Sequence, residues 1–501
     1  MKQNKSFKFW QWRIILVSML VYAIYYFVRK NFSIAMPGLT AEYGISNTSF
    51  GIIIALGSII YGLSRFINGF IVERVSTKVF MGIGLILCAI SNFCFGFGVD
   101  LSYLITGVHE GPQFVNMIIL IMGVTIILNQ YFQGFGYPPC ARMLPHWIAP
   151  GELSTKMSIW NTSHSVGSFA AVVICGLIMT NMGADMSGNS SIIAHIGQNL
   201  SESIKNWADL SVEEQNIRIL SYASHYGAWK WCFIIPGIVA IGGAILCFTG
   251  LKDTPQSVGL PEIEGTSTGK EQLNSIPGGH KAFLRHMVFR NKWVWMLSVA
   301  NIFVYVLRMG VLDWGPKFLT EDRGMDIKSA AWSVAVFELT AIFGTIFAGW
   351  ASDHIFKGRS HRMCLISMIG AVVFLAIFAL CDKLNPVVST LILAMSGFFI
   401  YGPQALIGIG AANQSTKEAS ATSNGLTGIC GYLGSALSAI AVGLIADHLG
   451  WKAVFLTFIA VGVVGAIVFF MMWNAPRDGY ERSRDFTTRI LNKHVDNTDT
   501  K

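Results

Sequence analysis

The sequence predicts an all-α polytopic membrane protein, with twelve transmembrane helices in two pseudo-symmetric six-helix bundles. Three observations carry that expectation. The chain has too few charges for a soluble protein, apolar runs of bilayer length recur along it, and features of the first half return in order in the second. Of 501 residues, 53% are hydrophobic and only 13% charged, where soluble domains carry about 25% charged residues. The 51 glycines suit closely packed membrane helices. The aromatic share of 12% suits interfacial belts. A net charge of +8 is no nucleic-acid signal here, because most of the excess cations flank the apolar runs.

Runs near the ~20 residues that cross a bilayer fall at 13–36, 48–72, 79–99, 114–137, 157–180, 228–250, 293–314, 329–351, 362–381, 387–410, 421–443 and 452–473. The expected organisation is a cytoplasmic N-terminus (1–12), a first bundle (13–250), a cytoplasmic linker (251–292), a second bundle (293–473) and a polar, mobile tail (474–501). The first run ends in Arg-Lys rather than a small-residue cleavage site, so it is not a removed signal. With the N-terminus inside, the short inner segments hold Lys2, Lys5, Lys8, Arg13, Arg74, Lys78, Arg142, Lys156, Lys357, Arg359, Arg362 and Lys417. The outer ones hold Lys317, Arg323, Lys328, Lys383 and Lys452. That excess places both termini in the cytoplasm. One outer loop, 181–227, is unusually long. Ile204, Trp207, Leu210, Ile217 and Leu220 in it suggest a short surface helix with one apolar face.

The first run contains "YAIYYFVRKNF", which carries two adjacent cations, Arg29 and Lys30, into an apolar segment. A charge in lipid costs ~3 kcal/mol or more. The seventh run contains "YVLRMGV", so Tyr26-x-x-Arg29 is echoed by Tyr305-x-x-Arg308. An i, i+3 spacing puts each Tyr and Arg on one helix face. "GFIVERVSTK" is matched by "GWASDHIFKGRSHR", "GYPPCARML" by "YGPQALIGI", and "AWKWCF" by "GWKAVF". The shared order argues for duplication. Two guanidiniums facing one cavity repel each other unless an anion joins them, and each presents a fork suited to phosphate oxygens. Lys30, whose counterpart is Met309, is expected to point elsewhere.

"YYFVRKNFSIAMP", "GLSRFINGF", "GYPPCARMLPHW", "SIWNTSHSVGS", "VYVLRMGVLDWGP" and "LKDTPQSVGLP" resemble the organophosphate:phosphate antiporters of the major facilitator superfamily, over nearly the whole chain. The resemblance implies a substrate cavity between the halves in which Arg29 and Arg308 grip phosphate. His164 matches the family's cavity histidine, with Asn161 at i−3 on the same face. Lys30 matches a lysine beside the site, and Arg65 falls where the family commonly has lysine. Tyr22, Tyr26, Tyr305 and Tyr401 match cavity tyrosines. Glu338, an acid near the middle of the eighth run, is expected to pair with Lys30. Asp313 reads as structural, near the outer surface.

The implied activity is import of an organic phosphate ester, glycerol-3-phosphate or a sugar phosphate, in exchange for inorganic phosphate by alternating access. The partners are those small molecules and the lipid bilayer, with no nucleic acid. The resemblance places the chain in a bacterial inner membrane, working as a monomer. No enzyme activity, cofactor or metal site is expected. The nine cysteines lack zinc-ligand spacing, and the chain has no phosphate-binding loop ending in Gly-Lys-Ser/Thr. Inner loops containing Glu73, Arg74, Asp353 and Lys357 are expected to act as a latch, and Gly428, Gly431 and Gly434 as sliding surfaces. The alternatives are a sugar-phosphate-binding membrane sensor and a proton-coupled carrier of another organic anion.

Overall fold

The computed structural model describes residues 2–72, 75–148, 153–204, 207–261, 279–381, 385–416 and 419–488. Twelve helices among them are long and apolar enough to span a bilayer, one for each predicted run. The number, length and composition of these helices make this a multi-pass membrane protein of the expected architecture. The first half comprises α1 (Lys2–Tyr43), α2 (Asn47–Val72), α3 (Thr77–Gly96), α4 (Gly98–Thr106), α5 (Pro112–Gln133), α6 (Tyr137–Trp147), α7 (Leu153–Asn161), α8 (Ser163–Asn181), α9 (Ser190–Ser203), α10 (Val212–Ala223) and α11 (Ala228–Gly250). A short helix, α12 (Gly279–Leu284), precedes the second half. That half comprises α13 (Lys292–Glu321), α14 (Ile327–His354), α15 (Ser360–Leu380), α16 (Pro386–Ser415), α17 (Ser420–Leu449) and α18 (Trp451–Met471).

The helices outrun the apolar runs. The first run ends at 36 because polar residues follow it, yet α1 continues through Pro37 to Tyr43. Two crossings are broken. The chain between α5 and α6 turns at Gly134–Gly136, ahead of Pro138 and Pro139, which cannot donate backbone hydrogen bonds.

The halves close against each other at the end away from the chain termini. Two glycines make this possible. A Cβ on Gly51 of α2 would lie 2.5 Å from the Ala439 carbonyl of α17, and one on Gly443 would lie 2.5 Å from the Asn47 carbonyl. Asp447 of α17 accepts from the Asn47 and Thr48 amides of α2 at 3.1 and 2.7 Å. A carboxylate of one half thus caps the positive helix end of the other. Lys317, fully buried, pairs with Glu321 at 2.7 Å and donates to Thr40 of α1. Sequence reading placed Lys317 in an outer loop. It lies instead inside α13, because Glu321 and Thr40 satisfy its charge and let the helix run on.

The 181–227 insertion forms two helices, α9 and α10, rather than one. Their buried side is built from Ile196, Leu200, Ile204, Trp207 and Ala223 packed against Ala41 of α1. Ile217 and Leu220, expected on that side, are exposed. A capping box in which Ser211 and Glu214 bond each other's backbone amides starts α10 and sets its rotation. The expected mobile tail is helical over 480–488. It is held by a hydrogen bond from the Gly479 amide to Asn413 and by Phe486 stacked on His286 at 4.2 Å. Of the three glycines expected at a sliding surface, Gly434 approaches the Ile302 backbone and Gly431 approaches Tyr305, while Gly428 meets nothing within 4 Å. Glu73 and Arg74 lie outside the described residues, and Asp353 lies in the last turn of α14.

At the termini end, ties run within each half. Asp253, just past α11, accepts from the Thr77 and Lys78 amides at 3.2 and 3.1 Å and from the Thr77 hydroxyl, so it caps α3. Burial alone would raise its carboxyl, but hydrogen bonds from Ser76, Thr77 and Lys78 outweigh burial and hold it below the usual carboxylate value. Asp253→Asn keeps an acceptor oxygen but loses the charge, and is expected to weaken the fold at pH 7 by up to about 1 kcal/mol, the worth of a negative charge at a helix N-terminus. A depressed carboxyl contributes stability above the unfolded value of about pH 4 and loses it as pH falls through the folded value. The difference in thermal midpoint between the two proteins should therefore close on acidification; a difference that grows would refute the assignment.

Candidate functional site

The site lies about two-thirds of the way along α1 and about halfway along α13. Arg29 is 14 residues from the end of α1, roughly 21 Å of helix. Its guanidinium sits 5.6 Å from the ring of Tyr26, three residues earlier, and 4.1 Å from the ring of Tyr61 on α2. Arg308 repeats the arrangement, 5.9 Å from Tyr305 and 4.6 Å from Tyr401 on α16. Tyr61 and Tyr432 meet edge to face at 5.0 Å, and Tyr432 and Tyr305 at 5.7 Å. A chain of three rings therefore links one arginine to the other across the halves. Each guanidinium gains cation–π attraction of about 1–2 kcal/mol in such a dry setting, which partly offsets the mutual repulsion of the pair.

The two acids of this region, Glu338 and Asp313, are distributed differently from expectation. Glu338 accepts from the Tyr401 hydroxyl through Oε1, and its Oε2 has no hydrogen-bond partner. Lys30 pairs with Asp313 at 2.5 Å and lies 4.0 Å from the Met309 sulfur. The expected Glu338–Lys30 pair is absent because Asp313, five residues past Arg308 on α13, reaches Lys30 first. Asp313 lines the central cleft, and its side chain is 16% exposed. Arg308 is 3% exposed and its Nε lacks a partner.

The remaining expected residues divide. Tyr26 meets His164 edge to face at 5.7 Å, and Tyr22 stacks on Trp160 at 4.9 Å. His164 Nδ1 contacts the Asn161 carbonyl, while the Asn161 residue itself is exposed at the α7–α8 break. Arg65 lies 3.9 Å from the Tyr137 ring, one helical turn nearer the termini end of α2 than Tyr61. Sequence reading missed Tyr61, Tyr432, Tyr137 and Trp160. None carries a charge, and an aromatic in an apolar run gives no periodic signal of its own. The proline pair beside Tyr137 was the nearest cue.

Arg29, Arg65 and Arg308 face aromatic rings, and aromatic rings leave the edges of a guanidinium fork free for oxygens. Among the described residues no group of histidine, cysteine and acidic side chains could hold a metal ion.

Comparison with known proteins follows the same lines. The sequence profile described as Major Facilitator Superfamily matches residues 18–439. The chain is 32% identical to a probable hexose phosphate transport protein of Chlamydia trachomatis serovar D, covering 94% of this chain and 93% of that one. It is 32% identical to a glycerol-3-phosphate transporter of Bacillus subtilis (94% and 94%), and 30% identical to the membrane sensor protein UhpC of Salmonella typhimurium (95% and 95%). A bacterial homolog of the human lysosomal transporter Spinster, crystallised in an inward-facing, unoccupied conformation, superposes with a TM-score of 0.68 at 14% identity, over 92% of this chain and 96% of that one. At that identity the likeness speaks for the fold alone.

The Lys30–Asp313 pair yields a measurable coupling. Lys30→Met or Asp313→Asn alone leaves a buried charge unpaired and is expected to cost about 3–5 kcal/mol of stability. The double variant should lose clearly less than the sum, read as thermal midpoints in detergent. Additive losses would mean that the two side chains do not interact in the folded protein.

Proposed function

The chain belongs to the major facilitator superfamily, within its organophosphate:phosphate antiporter family, and from that premise we propose that it is a secondary carrier exchanging an organic phosphate ester for inorganic phosphate by alternating access. The observation that carries the proposal is the matched pair Arg29 and Arg308, one from each half, joined through Tyr61, Tyr432 and Tyr305. A phosphoryl group lying between two guanidinium forks neutralises both and accepts bidentate hydrogen bonds from each. His164, Tyr22, Tyr26 and Tyr401 complete the binding wall, with Arg65 on the termini side and Glu338 oriented by Tyr401 beside Arg308.

The relatives bear glycerol-3-phosphate and hexose phosphate names at the same 32% identity. The cargo is therefore proposed at the level of phosphate monoesters. The direction is import across a bacterial inner membrane, with both termini cytoplasmic, and the transporting unit is one chain. The driving force is the gradient of the counter-substrate. Exchange follows when only the loaded carrier reorients, which requires the ligand to bind the closed intermediate more tightly than the open states. A ligand-sensing role has a specific point in its favour, the 30% identity to a membrane sensor over 95% of both chains. It differs in one property: a sensor binds the ester without exchanging phosphate.

Vesicles reconstituted with the protein and loaded with labelled phosphate test the proposal. Label should leave when an external phosphate ester is added and stay when none is. Arg29→Lys and Arg308→Lys keep the charge but lose the fork, and each is expected to slow exchange at least 100-fold. Exchange that survives both substitutions would refute the assigned site. Tight ester binding with no label release would establish the sensor.

A further inference from the structure

A cleft lies on the far side of Arg29, between the arginine level and the closed end, and the carrier mechanism leaves half of it without a role. Its walls include Arg29, Lys30 and Asp313, already placed in the site, and also Ser58, Asn129 and Gln130. Asn129, 3% exposed, donates through Nδ2 to the Val28 carbonyl at 2.9 Å, which fixes the amide so that Oδ1 is left as an acceptor. Asn129 Oδ1 and Gln130 Oε1 are both buried and have no donor among the described residues. Gln130 is held in place by α2: a Cβ on Gly57 would lie 2.9 Å from its Cγ. Ser58 bonds Ser435 of the other half at 3.0 Å beside them.

Two adjacent buried acceptors without donors cost about 1–3 kcal/mol each unless a donor comes from outside the chain. A cationic donor is disfavoured, because Arg29 and Lys30 line the same space. A neutral hydroxyl fits. The cleft volume is about 30 Å³, and one water-sized group needs about 10–15 Å³. The space thus suits one or two hydroxyls and excludes an entire sugar. Resting on the carrier reading above, we propose that Asn129 and Gln130 form a hydroxyl-recognising subsite for the organic part of the cargo, reached when the phosphoryl group lies in the fork of Arg29. The ester then points its hydroxylated carbons toward the far end. Discrimination among esters arises from α5, while the arginines read only the phosphoryl group.

The test compares two monoesters that differ only in hydroxyls, glycerol-3-phosphate and propyl phosphate. Calorimetric titration of the full chain in detergent measures each, with inorganic phosphate measured first. The wild-type protein should bind the hydroxylated ester about tenfold more tightly, the worth of one or two buried hydrogen bonds. Gln130→Leu removes an acceptor that makes no bond among the described residues, so the fold should survive. It should cut the preference to about threefold or less by weakening glycerol-3-phosphate selectively. Asn129→Ser, which keeps a short polar group near Val28, should act in the same direction. Equal weakening of both esters by Gln130→Leu, or a wild-type protein with no preference, overturns the subsite. Phosphate binding with no ester preference sinks only this inference, whereas failure to bind phosphate at all sinks the carrier reading and the subsite with it.

Discussion

Two guanidiniums held at mid-membrane on opposite halves of one molecule form an unstable arrangement unless something negative or polarisable lies between them. The rest of the structure follows from that constraint. Each arginine is anchored by a tyrosine three residues earlier on its own helix and by a second ring from a neighbouring helix. The ring chain through Tyr432 spans the gap. Aromatic faces soften the repulsion without removing it, because cation–π attraction is weaker than an ion pair in a dry site. On the carrier reading proposed above, an arriving anion would relieve the residual repulsion and so couple binding to the approach of the halves.

The neighbouring charges are arranged so as not to compete. Asp313 is committed to Lys30 and Glu338 to the Tyr401 hydroxyl. Neither carboxylate forms a direct ion pair with Arg29 or Arg308, so the forks are not consumed internally. At the far end the opposite strategy holds. Lys317–Glu321, Thr40 and Asp447 form satisfied networks that bind the halves together. Arg218 of the α9–α10 hairpin adds a hydrogen bond to the Glu321 carbonyl. Opening that end requires the Thr40, Asp447 and Ser58–Ser435 bonds to break. The site must therefore supply stabilisation of comparable size when loaded.

The twelve crossings were legible because bilayer length and hydropathy act on long segments, where errors of a few residues do not matter. The Arg29–Arg308 match was legible because duplication preserves an i, i+3 pattern. Spacing within a helix shows which residues share a face, but not which partner helix that face meets. That is why Glu338 was assigned to Lys30 when Asp313 holds it, and why Lys317 was read as a loop residue. Tyr61, Tyr432 and Trp160 left no trace, because an aromatic ring is at home anywhere in a membrane segment. In the insertion, the apolar residues announced a helix. The capping box at Ser211 and Glu214, which splits the region and turns Ile217 and Leu220 outward, is a local signal in the same sequence.

The central claim is that a phosphate anion joins the two arginines and thereby draws the halves together at the termini end. Spin labels at Val75 and Ile355, both exposed and on opposite halves at that end, would report the separation in a version with the nine native cysteines replaced. The account predicts that inorganic phosphate shifts the distance distribution to shorter values and that chloride at matched ionic strength does not. A distribution indifferent to phosphate, in protein shown to bind it, would contradict the account.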